Sequence, residues 1–162
     1  MLNICTENEE YLRCIGITDK PKVKDIYHSY ILPILRDSTR YSSKSDSVLV
    51  AFLLCIYVHL NQFENELDQL RKFMVIKTRN NQIIRLDTPG TIIHLTSSYG
   101  CTKSLECLNP PRHEFTYISD DYINNFRTEL FPADQDIKNF VRFLDQLNIT
   151  EFLQVNITDT RK

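Results

Sequence analysis

The sequence predicts an α+β fold, predominantly helical, with a small β-hairpin or three-stranded antiparallel element. Three observations lead there. Apolar residues recur at helical spacing in two stretches: Val23, Ile26, Tyr27, Tyr30 and Ile31, then Ile137, Phe140, Val141, Leu144 and Leu147. Between them, Val48 to Leu60 is a largely apolar run of thirteen residues. Finally, "FMVIKTRNNQIIRL" (Phe73 to Leu86) switches to β-prone residues on either side of a polar turn.

The chain has 162 residues, 42% of them hydrophobic and 25% charged. That length allows one domain or two small lobes, and folding at this size hides about 70% of the unfolded surface. We divide it into an irregular N-terminal segment, 1–20, and a single α+β unit, 21–162. Asp19 as cap and Pro21 near the first helical position open a helix over about 21–35. Pro33 is expected to kink or end it, because proline removes a backbone donor and crowds the preceding turn. Arg36 to Ser47 reads as a polar, serine-rich connection. Ser45 or Asp46 then caps a helix over about 47–60, which is apolar all round and so belongs at the centre of the fold.

Asn61 to Glu66 is polar and leads into a helix over about 64–71. The hairpin spans about 73–86 and turns at Arg79-Asn80-Asn81, because asparagine tolerates positive φ. Pro89-Gly90 predicts a type II turn, and a third strand follows over about 91–95. Ser119-Asp120-Asp121 opens a helix over about 119–127, with carboxylates at its positive end. The last helix spans about 134–147, and "ITEFLQV" closes the pattern as a strand or turn.

Lys plus Arg number 19 against 21 Asp plus Glu, a net charge of -2. This balance gives no reason to expect a nucleic acid or a membrane surface as partner. The apolar run falls short of the roughly 20 residues that span a bilayer. The five cysteines are Cys5, Cys14, Cys55, Cys101 and Cys107. Their odd number, their uneven spacing and an acidic start, "MLNICTENEE", predict reduced thiols in an intracellular, non-secreted protein. The sequons at Asn148 and Asn156 are then expected to stay unglycosylated. Only three glycines occur, and neither GxxxxGK[ST] nor GxGxxG is present.

"IIHLTSSYGCTKSLECL" (Ile92 to Leu108) is the densest cluster of reactive side chains. His94, Cys101, Cys107 and His113 form a conceivable two-Cys, two-His zinc set, but Cys101-x5-Cys107 lacks the tight spacing of a zinc knuckle. Cys101 with His94, His113 or His59 as base has the residue types of a thiol nucleophile, without a local signature. The structural reading is favoured: His94 in an apolar strand, a turn permitted by Gly100, and one helical turn with Leu105 and Leu108 buried. Cys55 reads as a small core residue. Asp120 and Asp121, like Asp134 and Asp136, read as helix-end carboxylates before acid/base or metal groups. Lys20, Lys22 and Lys24 read as a solvated surface. Eight tyrosines and nine phenylalanines fall mostly on apolar stripes, as core rather than ligand box. No catalytic, cofactor-binding or metal residue is therefore assigned, and no cofactor is expected.

The order of the segments carries a resemblance. "DIYHSYILPILRD" followed by "KSDSVLVAFLLCIYVHL" looks like a region of the large NO VEIN-type proteins, distant relatives of sacsin. "IIHLTSSYG" and "FTYISDDYI" resemble that family's His-Leu-(Thr/Ser)-x-x-Tyr-Gly and (Ile/Leu)-Ser-x-x-Tyr runs. "IKNFVRFLDQLNITEFLQV" is similar to its aromatic helix ending in a Gly-(Val/Ile)-(Thr/Lys)-Asp-Phe-Leu-x-Val phrase; here Asn148 replaces the Gly and Glu151 the Asp. The resemblance covers about Lys22 to Val155. It implies long proteins with a GHKL-type, histidine-kinase-like ATPase domain. The Glu/Asn helix, D-x-G-x-G loop and glycine-rich lid of that domain have no counterpart here, so no ATP-site residue carries over.

Three readings follow. The first is a non-catalytic structural or interaction segment of such an ATPase-containing protein, its partner the rest of a longer chain. The second is a stand-alone intracellular adaptor that binds a protein partner. The third is a small thiol or zinc protein using Cys101, Cys107, His94 and His113.

Overall fold

In the computed structural model, residues 22–100 and 115–150 are described. Helix dominates and the strands are short, as an α+β, largely helical fold requires. The chain enters through α1 (Val23–Ile26), a π-helical turn (Tyr27–Ile31) and α2 (Leu32–Arg36) in one continuous path. Pro33 does not end this helix: it sits in the first turn of α2, directly after the π turn. The wider ladder of the π turn takes up the place where proline removes a donor and crowds the carbonyl before it.

The polar connection 36–47 holds a helical turn of its own, α3 (Ser38–Ser42). Asp37 starts it, accepting the Thr39 backbone N–H at 3.0 Å. Ser45 is the N-cap residue of α4 (Asp46–Val58). Leu49, Val50, Ala51, Phe52, Leu53, Leu54 and Ile56 of α4 are all buried, so the apolar helix lies inside the fold as its composition demands. Two 3-10 turns (Leu60–Gln62 and Glu64–Glu66) then lead into α5 (Leu67–Phe73), which starts about three residues later and ends about two residues later than the sequence pattern implies.

The hairpin forms from β1 (Val75–Lys77) and β2 (Ile83–Arg85), antiparallel, with Ile76 opposite Ile84. Asn81 takes φ 58° in its turn, and Gly90 takes φ 74° where the Thr91 N–H reaches the Thr88 carbonyl. The third strand, β3 (Ile93–His94), does not add to the hairpin in antiparallel fashion. It pairs in parallel with β4 (Thr116–Tyr117), a strand the sequence pattern did not mark. An antiparallel bridge, Thr78 to Ile118, joins β4 to the end of β1, and a parallel bridge joins His94 to Thr150. The strands therefore run β2–β1–β4–β3 with Thr150 beyond, a mixed arrangement.

Downstream, the helix expected over 119–127 is the single turn α6 (Asp121–Asn124), and α7 (Asp134–Gln146) follows. Tyr57, Phe131, Phe140 and Phe143 pack where α7 crosses the end of α4, with ring centroids of Tyr57 and Phe140 4.9 Å apart. One continuous apolar core runs from Tyr27 to Ile149. The segment 1–20, the Asp19 and Pro21 helix start, the Ser104–Leu108 turn and the chain beyond Thr150 lie outside the described residues.

Candidate functional site

A cluster of polar groups gathers on the side of β1 away from β2, where α4, β3, β4 and α6 meet. In an antiparallel pair, alternate residues turn their backbone groups away from the partner strand. Lys77 is such a residue. Its N–H donates to the Tyr122 hydroxyl oxygen at 3.0 Å, and its carbonyl accepts the Ser119 N–H at 2.9 Å. Its ammonium lies 2.7 Å from Asp121 and 3.3 Å from Asp46, with the lysine side chain only 12% exposed. Both carboxylates occupy first turns, of α6 and α4, where the helix dipole favours negative charge. Asp121 above all, with Asp46, holds the lysine charged at higher pH than usual, against the opposing effect of desolvation. A lysine kept protonated in this way is a tether between two helix ends; a nucleophilic lysine needs the opposite shift.

Next to it, the Thr96 hydroxyl donates to Asp120, and the Tyr99 hydroxyl donates to the Ser119 carbonyl. The Ser119 hydroxyl accepts the Asp121 N–H at 3.2 Å. Burial pushes the phenols of Tyr99 and Tyr122 well above their ordinary range, so both remain neutral hydrogen-bonding groups. Arg79 lies 3.5 Å from Asp120 and over the Tyr117 ring.

His94 is 3% exposed, with the Phe115 ring edge-on at 5.3 Å. Its Nδ1 is buried without a hydrogen-bond partner among the described residues, and desolvation lowers its pKa. Cys101, Cys107 and His113, its proposed zinc or thiol companions, lie outside the described residues. Among the described residues no group of three His, Cys, Asp or Glu side chains is placed to hold a metal. His59 turns back on its own helix, Nδ1 3.1 Å from the Cys55 carbonyl. Asp136 accepts the Ala133 N–H at 2.9 Å, as a helix-start carboxylate does. Lys24 pairs with Glu66 at 3.1 Å, beside His28 on the same carboxylate at 2.9 Å, while Lys22 is exposed.

The sequence pattern marked Asp120, Asp121 and His94 but missed Lys77, Asp46, Thr96, Tyr99 and Tyr122 as one unit. The available signal was the pair of short runs, His94 to Gly100 and Ile118 to Tyr122, whose polar members meet here. No helix among the described residues is long and apolar enough to cross a membrane. No protein-family model, curated protein or solved structure matches this chain.

Proposed function

We propose that this chain is a non-catalytic structural and protein-interaction segment of a NO VEIN-like or sacsin-like ATPase-containing protein, with the ATP site elsewhere in the longer product. One observation carries the reading: the positions that give the resemblance are the positions that interlock. Leu95, Tyr99, Ile118 and Tyr122 are buried, and across the same junction the Thr96 hydroxyl donates to Asp120 and the Tyr99 hydroxyl to the Ser119 carbonyl. Gly100 has φ 78°, the left-handed backbone that favours glycine. Asn148, standing where the resembled phrase has Gly, has φ 64°. Motif positions used to lock a junction are what a recurring structural segment requires. Motif positions of an enzyme would instead converge on an open cleft.

The test is the size of the native protein in extract from its source, read with an antibody against residues 115–150. The expected band is far larger than 19.1 kDa. A band at that mass overturns the reading in favour of a stand-alone adaptor. Calorimetric titration with ATP is expected to give no heat of binding, and a saturable signal counts against the assignment.

A further inference from the structure

Arg36 at the end of α2, Lys72 in the last turn of α5 and Arg85 at the end of β2 surround one ring. Their charged groups lie 5.0, 5.3 and 5.4 Å from the centroid of Phe73. Any two of them are therefore within about 11 Å of each other, on the order of one Debye length in 0.1 M salt. Arg85 is anchored: its Nη2 donates to the Lys72 carbonyl at 3.2 Å and to Asp87 at 3.1 Å. Arg36 and Lys72 are exposed, and neither has a carboxylate within ion-pair distance among the described residues. A chain of net charge -2 thus concentrates three cations at one half-buried phenyl ring, with one aspartate among the described residues to answer them. Beside Arg85 opens a hollow of about 360 Å³ lined by Arg85, Leu86, Thr91, Ile92, Leu147 and Asn148. Ile92 is 44% exposed there.

Cation–π contacts at exposed sites contribute about 0.5–1 kcal/mol each, and basic residues suit helix C-termini. Those effects account for one cation at a ring. Three cations in mutual repulsion, two without a counter-ion among the described residues, present a positive field that an incoming anion relieves. Charge complementarity and the adjoining hollow identify the occupant. Three cations are too few to track a phosphate backbone, and the hollow has room for a side chain of a peptide.

We propose that Arg36, Lys72 and Arg85, set round Phe73, form the docking site for an extended acidic segment of a partner polypeptide. Its carboxylates meet Arg36 and Lys72, and the chain continues past the hollow beside Arg85. The proposal rests on the reading of this chain as an interaction segment and gives the partner its chemistry.

The test uses the full chain and a short labelled peptide alternating glutamate and leucine, followed by fluorescence anisotropy. Binding is expected, weakening as salt rises, and absent for the same peptide with glutamine in place of glutamate. The double variant R36Q/K72Q is expected to bind about tenfold more weakly, the loss of two exposed, solvent-screened charged contacts. K138Q/R142Q, exposed on α7, changes net charge equally and is expected to bind as the parent does. The charge-preserving R36K/K72R is expected to retain binding, and thermal unfolding checks that every variant is folded. No binding, equal binding of the glutamine peptide, or equal losses for both glutamine pairs overturns the proposal. So does an oligonucleotide that binds at Arg36 and Lys72 more tightly than the peptide. None of these outcomes alters the size of the native protein, so the segment reading and the docking site fail separately.

Discussion

The hydroxyl of Tyr122 accepts the backbone N–H of Lys77 at 3.0 Å, joining α6 to the side of β1 away from β2 across 45 residues of sequence. Without it, that N–H meets the edge of a buried phenyl ring that cannot accept it, because Tyr122 is fully buried. Tyr122→Phe keeps the ring and removes only the acceptor. Leaving a buried donor unsatisfied costs about 1–3 kcal/mol, and urea unfolding is expected to show a loss of that size. A change below about 0.5 kcal/mol, the level of an ordinary surface substitution, would show that the contact does not lock the junction.

Leu53 tests the placement of α4. It is 0% exposed, among neighbours Phe52, Leu54 and Ile56 that are themselves buried. Leu53→Ala is expected to cost about 2–5 kcal/mol, transfer and cavity terms together, which is a large share of a small domain's stability. Val58, on the same helix but 49% exposed, serves as the comparison. Val58→Ala is expected to stay within about 0.5 kcal/mol. Equal effects at the two positions would reject the central placement of the helix.

Asn148 ends α7 in a Schellman arrangement. The Ile149 N–H reaches the Leu144 carbonyl at 2.9 Å, and the Asn148 N–H reaches the Asp145 carbonyl at 2.9 Å. Leu144 and Ile149 are both fully buried, supplying the apolar contact that accompanies this cap. At φ 64° a side chain with a Cβ is strained, asparagine less than most. Asn148→Gly is therefore expected to raise the thermal midpoint or leave it unchanged, while Asn148→Ala lowers stability by about 1 kcal/mol. The opposite order would mean that the Asn148 side chain matters more than its backbone.

What was legible in the sequence acts locally. The apolar run of α4 and the stripe of α7 demand burial wherever they land, and Asn81, Gly90 and Gly100 sit at left-handed φ because their turns require it. α3 was readable too, since Asp37 two residues before Thr39 is a cap, but the serine-rich context concealed it. β4 was not: two residues are too few to show a period, and their partner strand lies beyond a long connection. Neither were the Lys77 junction and the ring of cations. Asp46, Lys77 and Asp121 are far apart in sequence, as are Arg36, Lys72 and Arg85, and only the packing of α2 on α5 and of α6 on β1 brings them together.

His94 gives the fold a pH dependence of predictable sign. It is buried against Phe115 and Tyr117, its Nδ1 has no partner among the described residues, and desolvation lowers its pKa below the ordinary 6.5. In the unfolded chain the imidazole takes up a proton near its ordinary pKa; in the folded chain it does so only at lower pH. Between the two values the unfolded state binds more protons, so stability falls as pH drops. The full contribution is present above the unfolded pKa and declines from there toward the folded pKa. Urea midpoints measured from about pH 7.5 down to about pH 5.5 are expected to decrease, and His94→Phe, which fills the site with a ring that does not titrate, is expected to flatten that decrease. Taking the difference between parent and variant cancels the contributions of groups common to both. An unchanged slope in the variant would place the titration at another group and leave His94 as a ring packed in β3 without a role in the acid limb.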